Sequence, residues 1–289
     1  MGTDKLRIEK ASEIGLCFGV KRAIGIVEKV AHERGSIETL GALAHNQQVI
    51  EKLAAIGVRV AGDIDDICGD TVAISSHGVS PKAEEAIRAR HINIIDTTCP
   101  SVRRAQIAAQ RLAKSGFFVV VYGDADHIEV KGVLGWADGK GIATLDENFM
   151  AKLDHLPRRL GILSQTTQIP AHFTEFVKRL VDSTLTKDAE LHIIDTICHS
   201  TRKRQASAIK LAKKADLMLV IGSHTSANTN RLTELCAGVT ETHLVETAEE
   251  IQSSWLEDRK YIGITAGAST DEQTINEVLA RLEALAKGL

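Results

Sequence analysis

Aromatic side chains are rare in this chain of 289 residues, which holds two tryptophans, two tyrosines and six phenylalanines. Stacking on bases is therefore not a theme, and a net charge of −3 lays down no polyanion-binding footprint. Nucleic acid is not an expected partner. No apolar run approaches the length of a membrane span. The opening "MGTDKLRIEKASEIG" lacks the apolar core of a secretory signal, so a cytoplasmic address is expected. Neither a GxxxxGK(S/T) loop nor a GxGxxG turn after a strand occurs, which argues against nucleotide binding by those routes. Only four prolines are present, and no low-complexity segment or linker interrupts the chain. What remains is an ordinary globular composition, 44% hydrophobic and 25% charged, long enough for two or three compact units.

The informative feature is repetition. "IIDTTCPSVRRAQIAAQRLAK" (94–114) returns ninety-nine residues later as "IIDTICHSTRKRQASAIKLAK" (193–213), identical at twelve of twenty-one positions. Short β-branched runs at 71–75, 92–96, 117–123, 159–164, 191–195, 216–222 and 260–265 alternate with helical patterns such as 102–114 and 202–214. That alternation predicts parallel α/β layers. After each cysteine helix comes a strand ending in glycine, Gly123 and Gly222, and a polar residue four places on, His127 and Ser226. A weaker copy runs from "GLCFGVKRAIGIVEKVA" through "IETLG" to Gly41 and His45. Each copy has a later strand ending in a polar loop: "AISSHGVSP", "GILSQTTQIP" and "IGITAGASTD". Equal spacing sets His77 opposite Thr166, with Ser269 in the third loop. Functional loops gather at the carboxyl ends of parallel strands, so three units about a pseudo-threefold axis would bring these loops to one centre.

Five cysteines in a reducing compartment are expected to be thiols or metal ligands. Cys68 and Cys236 occupy no repeated position and are expected to be small buried hydrophobes. Cys17, Cys99 and Cys198 each open a helix, where orphan N–H groups and the helix dipole favour thiolate. Three converging thiolates need a cation. Zinc with a water would satisfy them, and so would an iron–sulfur cubane keeping one iron open as a Lewis acid. The residues alone do not separate the two.

His45, His77, His127, Glu129, Thr166, Ser226, Asn228 and Ser269 all fall after strands, in what reads as loops. Imidazoles, hydroxyls and an amide suit an anionic, oxygen-rich ligand such as a phosphate. Glu129 is the only carboxylate of the set, a natural proton donor where its surroundings favour the acid form.

The ordered motifs "GLCFGVKRAI", "HNQQVI", "SSHGVSP", "DTTCPSV", "HIEVKG", "SQTT", "DTICHSTRKRQ", "GSHTSANTNRL" and "TAGAS" resemble the 4-hydroxy-3-methylbut-2-enyl diphosphate reductases, from about Ile14 to the C-terminal helix. The resemblance implies a trefoil of three pseudo-threefold-related α/β domains (14–97, 98–196 and 197–285, with 1–13 and 286–289 as terminal segments) around a central [4Fe-4S] cluster. It implies cluster ligation by Cys17, Cys99 and Cys198. It implies substrate binding by His45, His77, His127, Thr166, Ser226, Asn228 and Ser269, and catalytic roles for Glu129, Thr166 and His127, with Glu129 and Thr166 delivering protons near the substrate hydroxyl. The implied reaction removes the allylic hydroxyl held at the open iron and yields isopentenyl and dimethylallyl diphosphate. With no flavin or nicotinamide motif, electrons are expected from ferredoxin or flavodoxin. Two departures stand out: Ala227 where Ser-Ser-Asn is common, and "HIEV" for "HPEV", which is expected to free the loop between His127 and Glu129. The alternatives weighed are a zinc-dependent hydrolase, which would be colourless, and a phosphate-ester-binding protein without turnover, indifferent to Glu129→Gln.

Overall fold

The computed structural model describes residues 6–44, 46–146, 148–149, 157–184 and 188–287. The chain opens with strand β1 (Arg7–Lys10) and helix α1 (Phe18–Arg34), followed by β2 (Ile37–Leu40), α2 (Gln47–Ala55), β3 (Val58–Ala61), β4 (Thr71–Ile74), α3 (Pro81–Ala89) and β5 (Asn93–Asp96). The same succession then repeats. It reads α4 (Pro100–Lys114), β6 (Phe118–Tyr122), α5 (Ile128–Trp136), β7 (Gly141–Thr144), β8 (Arg159–Ser164), α6 (Pro170–Thr184) and β9 (Glu190–Ile193). A third round runs α7 (His199–Ala212), β10 (Leu217–Ile221), α8 (Ala227–Ala237), β11 (Glu241–Val245), β12 (Tyr261–Ala266) and α9 (Glu272–Ala286).

Among the described residues three four-stranded sheets form, ordered β3-β2-β4-β5, β7-β6-β8-β9 and β1-β12-β10-β11, with every pairing parallel. The third order, read backwards, matches the other two, with β1 in the place of β5 and β9. The third round ends at α9, so its fourth strand comes from the other end of the chain. Residues expected to form a terminal segment thus complete a sheet, Arg7 to Lys10 lying in register with Tyr261 to Ile264.

Central strands are buried on both faces, which is why "FVVVY" and "LMLVI" read as unbroken apolar runs. Edge strands β3 ("VRVA") and β7 ("GIAT") lack that run, and β1 ("RIEK") and β11 ("ETHLV") carry charge, so none of the four stands out in the sequence. Helix α4 buries Ala105, Ala108, Ala109 and Leu112 against its sheet. The close approach repeats: a Cβ on Gly161 would stand 2.7 Å from Leu112 Cδ1, and one on Gly263 would meet Met218 Sδ and stand 2.8 Å from Leu211 Cγ. Only glycine lets those equivalent leucines seat on their strands.

The chain forms two compact units. One comprises 1–21, 44–52 and 199–289 and contains the third sheet; the other comprises 22–43 and 53–198 and contains the first and second. Among the described residues no helix is long and apolar enough to cross a membrane.

Candidate functional site

Each repeated cysteine sits immediately before a helix and is pinned through its backbone. Cys17 N–H donates to Ala268 O, Cys99 N–H to Ser76 O and Cys198 N–H to Thr166 O, all at 2.9 Å. Each acceptor lies in the polar loop that follows β12, β4 or β8. The carbonyls of Cys17 and Cys99 in turn accept the N–H groups of Lys21 and Arg103, starting α1 and α4. The approach to the second and third cysteines is built alike. Asp96 Oδ1 accepts Thr98 N–H at 2.9 Å and Asp195 Oδ1 accepts Ile197 N–H at 3.0 Å. One residue earlier, the Thr97 hydroxyl donates to Ile74 O at 2.5 Å, and the Thr196 hydroxyl donates to Ser164 O.

All three cysteines are half-buried, and the Cys99 side chain makes no capping bond to its own helix. Among the described residues no three His, Cys, Asp or Glu side chains are grouped as a metal-holding set.

The other two cysteines part ways. Cys236 is fully buried as expected, and burial pushes its thiol up to about 12. Cys68 is exposed rather than buried, its Sγ donating to Asp66 O at 3.5 Å. It lies in the turn before β4, where the Cys68 and Gly69 N–H groups bind Glu38 and the side chain faces outward.

Glu129 and Asn228 are not loop residues. They occupy the first turns of α5 and α8, two positions past the N-caps His127 and Ser226. The Ser226 hydroxyl accepts Thr229 N–H at 3.3 Å, and His127 Nδ1 accepts Glu129 N–H at 3.2 Å. Because Nδ1 accepts that hydrogen bond, the neutral form of His127 is assigned the Nε2–H tautomer, with Nε2 a donor. The His77 ring stands edge-on to it, centroids 5.7 Å apart. Ile128 is the first helical residue of α5, a place where proline is favoured, so the "HIEV" departure keeps the helix start instead of freeing a loop.

Glu129 is 2% exposed, and Thr166 binds both of its oxygens. The Thr166 N–H donates to Oε1 and its hydroxyl to Oε2, each at 2.7 Å. The residue whose carbonyl holds Cys198 therefore also holds the buried carboxyl group. Oε2 and the hydroxyl form a reversible pair: whichever oxygen carries the proton can donate to the other.

In the third round Asn228 is buried, and its Nδ2 has no hydrogen-bond partner among the described residues. An orphaned amide costs about 1–3 kcal/mol, a cost that an oxygen-rich ligand would lift. Ser269 is 8% exposed in the loop that also holds Cys17. Two residues on, Asp271 caps α9, accepting Thr274 N–H at 2.9 Å and pairing with Lys52. Burial pushes Asp271 up, but Lys52 and Thr274 outweigh it and hold the carboxyl below its ordinary value. His45 lies outside the described residues; the side chain capping α2 is the next residue, Asn46, whose Oδ1 accepts Val49 N–H at 2.9 Å. His77, His127, Glu129 and Thr166 thus fall in one compact unit with Cys99 and Cys198, while Ser226, Asn228 and Ser269 fall in the other with Cys17.

Arg204 escaped the reading by residue type. It is 5% exposed and hydrogen-bonds the carbonyls of Gly15 and Ala266. Its one sequence signal is the basic cluster that follows each cysteine by four to six residues.

The family model described as LytB protein matches residues 8–283. A 4-hydroxy-3-methylbut-2-enyl diphosphate reductase of Dehalococcoides mccartyi is 57% identical, covering 98% of this chain and 100% of that one. A solved (E)-4-hydroxy-3-methyl-but-2-enyl diphosphate reductase, described as the terminal enzyme of the non-mevalonate pathway, is 39% identical. It covers 96% of this chain and 99% of its own, with a TM-score of 0.69. The E-1-hydroxy-2-methyl-but-2-enyl-4-diphosphate reductase from Plasmodium falciparum superposes with a TM-score of 0.89 at 26% identity, over 96% of this chain and 87% of that one. With the family match spanning almost every residue, and each of three described parallel sheets repeating one plan with a helix-starting cysteine, this chain belongs to the LytB protein family.

Proposed function

We propose that this protein reductively dehydroxylates (E)-4-hydroxy-3-methylbut-2-enyl diphosphate to isopentenyl and dimethylallyl diphosphate. Two electrons and two protons enter, the allylic C–O bond breaks, and water leaves. The observation that carries the reading is the buried Glu129–Thr166 pair, a store and outlet for protons beside the loop that holds Cys198.

The donor set suits a [4Fe-4S] cluster: three half-buried thiols at helix starts, each anchored through its backbone N–H. Cys17, Cys99 and Cys198 would hold it, and when bound it supplies electrons and a Lewis-acidic iron. Ferredoxin or flavodoxin is the proposed donor, and the cytoplasm, where thiols stay reduced, the proposed location.

The remaining work falls to the chain. His127, donating from Nε2, and His77 beside it bind phosphate oxygens, joined by Asn228 Nδ2, Ser226, Ser269 and His45. Thr166 takes the proton from Glu129 at Oγ1 and passes its own hydroxyl proton to the departing oxygen, so neither group moves far. A buried pair excludes bulk water and keeps protonation confined to the reacting oxygen and the allyl carbons. The sheets support lobes at 14–97, 98–196 and 197–285, the last completed by β1.

Protein prepared without oxygen should be brown, contain iron and sulfide, and convert the allylic diphosphate when given a reductant. A colourless zinc protein, or a brown one that binds the diphosphate without turnover, would overturn the proposal.

A further inference from the structure

We propose that Arg204 is a positioning residue for the Cys17 loop, the strongest of three arginines that each clamp the backbone leading into a cysteine. The inference rests on the cluster-bearing reading above. Arg204 Nη2 donates to Gly15 O at 2.6 Å, and Nη1 donates to Ala266 O at 2.8 Å and Glu13 O at 3.4 Å. One guanidinium thus ties the end of β12 to the turn two residues before Cys17, where Gly15 takes a φ of +85°. The loop after β12 also holds Cys17, whose N–H donates to Ala268 O. A planar fork reaches such carbonyls together; an ammonium does not.

The arrangement recurs in weaker form. Arg22, five residues past Cys17, donates to Thr97 O at 3.3 Å and Thr98 O at 3.4 Å, just before Cys99. Arg104, five residues past Cys99, donates to Asp195 O at 3.5 Å, three residues before Cys198. Arg204 is six residues past Cys198 and serves Cys17. Each cysteine loop is therefore held by an arginine from the helix that another cysteine begins, in cyclic order. Burial and bond length rank them: Arg204 is buried, Arg22 half-buried and Arg104 exposed. A buried guanidinium also places positive charge beside Cys17, which favours electron uptake by a group ligated there.

The test has two readouts. In cluster-free protein, hydrogen exchange at the Cys17 amide should speed up about tenfold in both Arg204→Met and Arg204→Lys, as loss of one good hydrogen bond predicts. Arg104→Met should leave exchange at Cys198 nearly unchanged. In reconstituted protein the cluster's midpoint potential should fall in Arg204→Met but stay near wild type in Arg204→Lys, which keeps the charge without the fork. Unaltered exchange in both Arg204 variants overturns the proposal, as does equal loosening by Arg104→Met. Should Arg204→Met fail to fold, Arg204→Lys decides by exchange alone. If wild-type protein binds no cluster, the proposed function fails while the exchange result still judges the clamp.

Discussion

Glu129→Gln separates proton supply from architecture. The buried carboxyl accepts two bonds from Thr166, at N–H and at Oγ1, both 2.7 Å. In the glutamine variant Oε1 can keep the N–H, while Nε2 faces a hydroxyl that reverses from donor to acceptor. Both contacts to Thr166 can persist. Where the native carboxyl is ionised, each bond drops from a charge-assisted value of about 1.5–3 kcal/mol to a neutral one near 1 kcal/mol, and where it is protonated both states are neutral. Relief from burying a charge offsets part of that loss. The net cost should be within about 2 kcal/mol, a Tm change of no more than about 4–8 °C. Glu129→Ala, by contrast, strands both donors of Thr166 and should cost about 2–6 kcal/mol. Activity should diverge from stability. An amide releases no proton, so kcat should fall about 10²–10⁴-fold, equivalent to about 3–5.5 kcal/mol of barrier. The assay is product formation at saturating diphosphate, alongside the visible spectrum and a melting curve. Wild-type kcat in Glu129→Gln would refute the assignment, and so would a loss that merely tracks cluster content.

Other consequences are equally direct. Asn228→Ala removes the orphaned amide, so calorimetry should find the ligand-free protein as stable as wild type or more so, while KM rises about 5–150-fold for a lost bond of 1–3 kcal/mol. Glu38 links to pH: burial pushes it up, but Gly69 N–H, the Arg59 guanidinium and Cys68 N–H more than offset this and leave it lowered. Its contribution is therefore full above the ordinary glutamate value and lost as pH falls through the lowered folded value. Melting curves of wild type and Glu38→Gln should differ most at neutral pH, by about 1.5–3 kcal/mol, and converge in acid below that value. Brief alkylation of native protein at pH 8, read by mass spectrometry, should label exposed Cys68 and spare Cys236, whose thiol is pushed up to about 12. Leu112→Ala should cost about 2–5 kcal/mol by denaturant titration, since that side chain fills the space over Gly161.

Much of the architecture was legible because it is written repeatedly. The cysteine helices, the strands ending at Gly123 and Gly222, and the alignment of His127 with Ser226 and Glu129 with Asn228 all return as equivalent positions. Periodicity failed at the sheet edges, where β3, β7 and β11 are short and half-exposed, and burial imposes no continuous apolar pattern. It also failed for Cys68, since absence from a repeat says nothing about exposure. Helical placement of Glu129 was hidden because an isoleucine stands where a proline would have marked the helix start.

The sequence by itself determined the α/β class, the threefold recurrence and the residue types available for chemistry, because hydrophobic runs and helix starts are local properties. Only the tertiary structure decided that β1 closes the third sheet, that Thr166 holds both Glu129 and the Cys198 backbone, and that Arg204 clamps the approach to Cys17. Those are pairings between residues far apart in the chain. They are set by parallel strand register and by the burial of polar groups that must find partners, neither of which leaves a local mark.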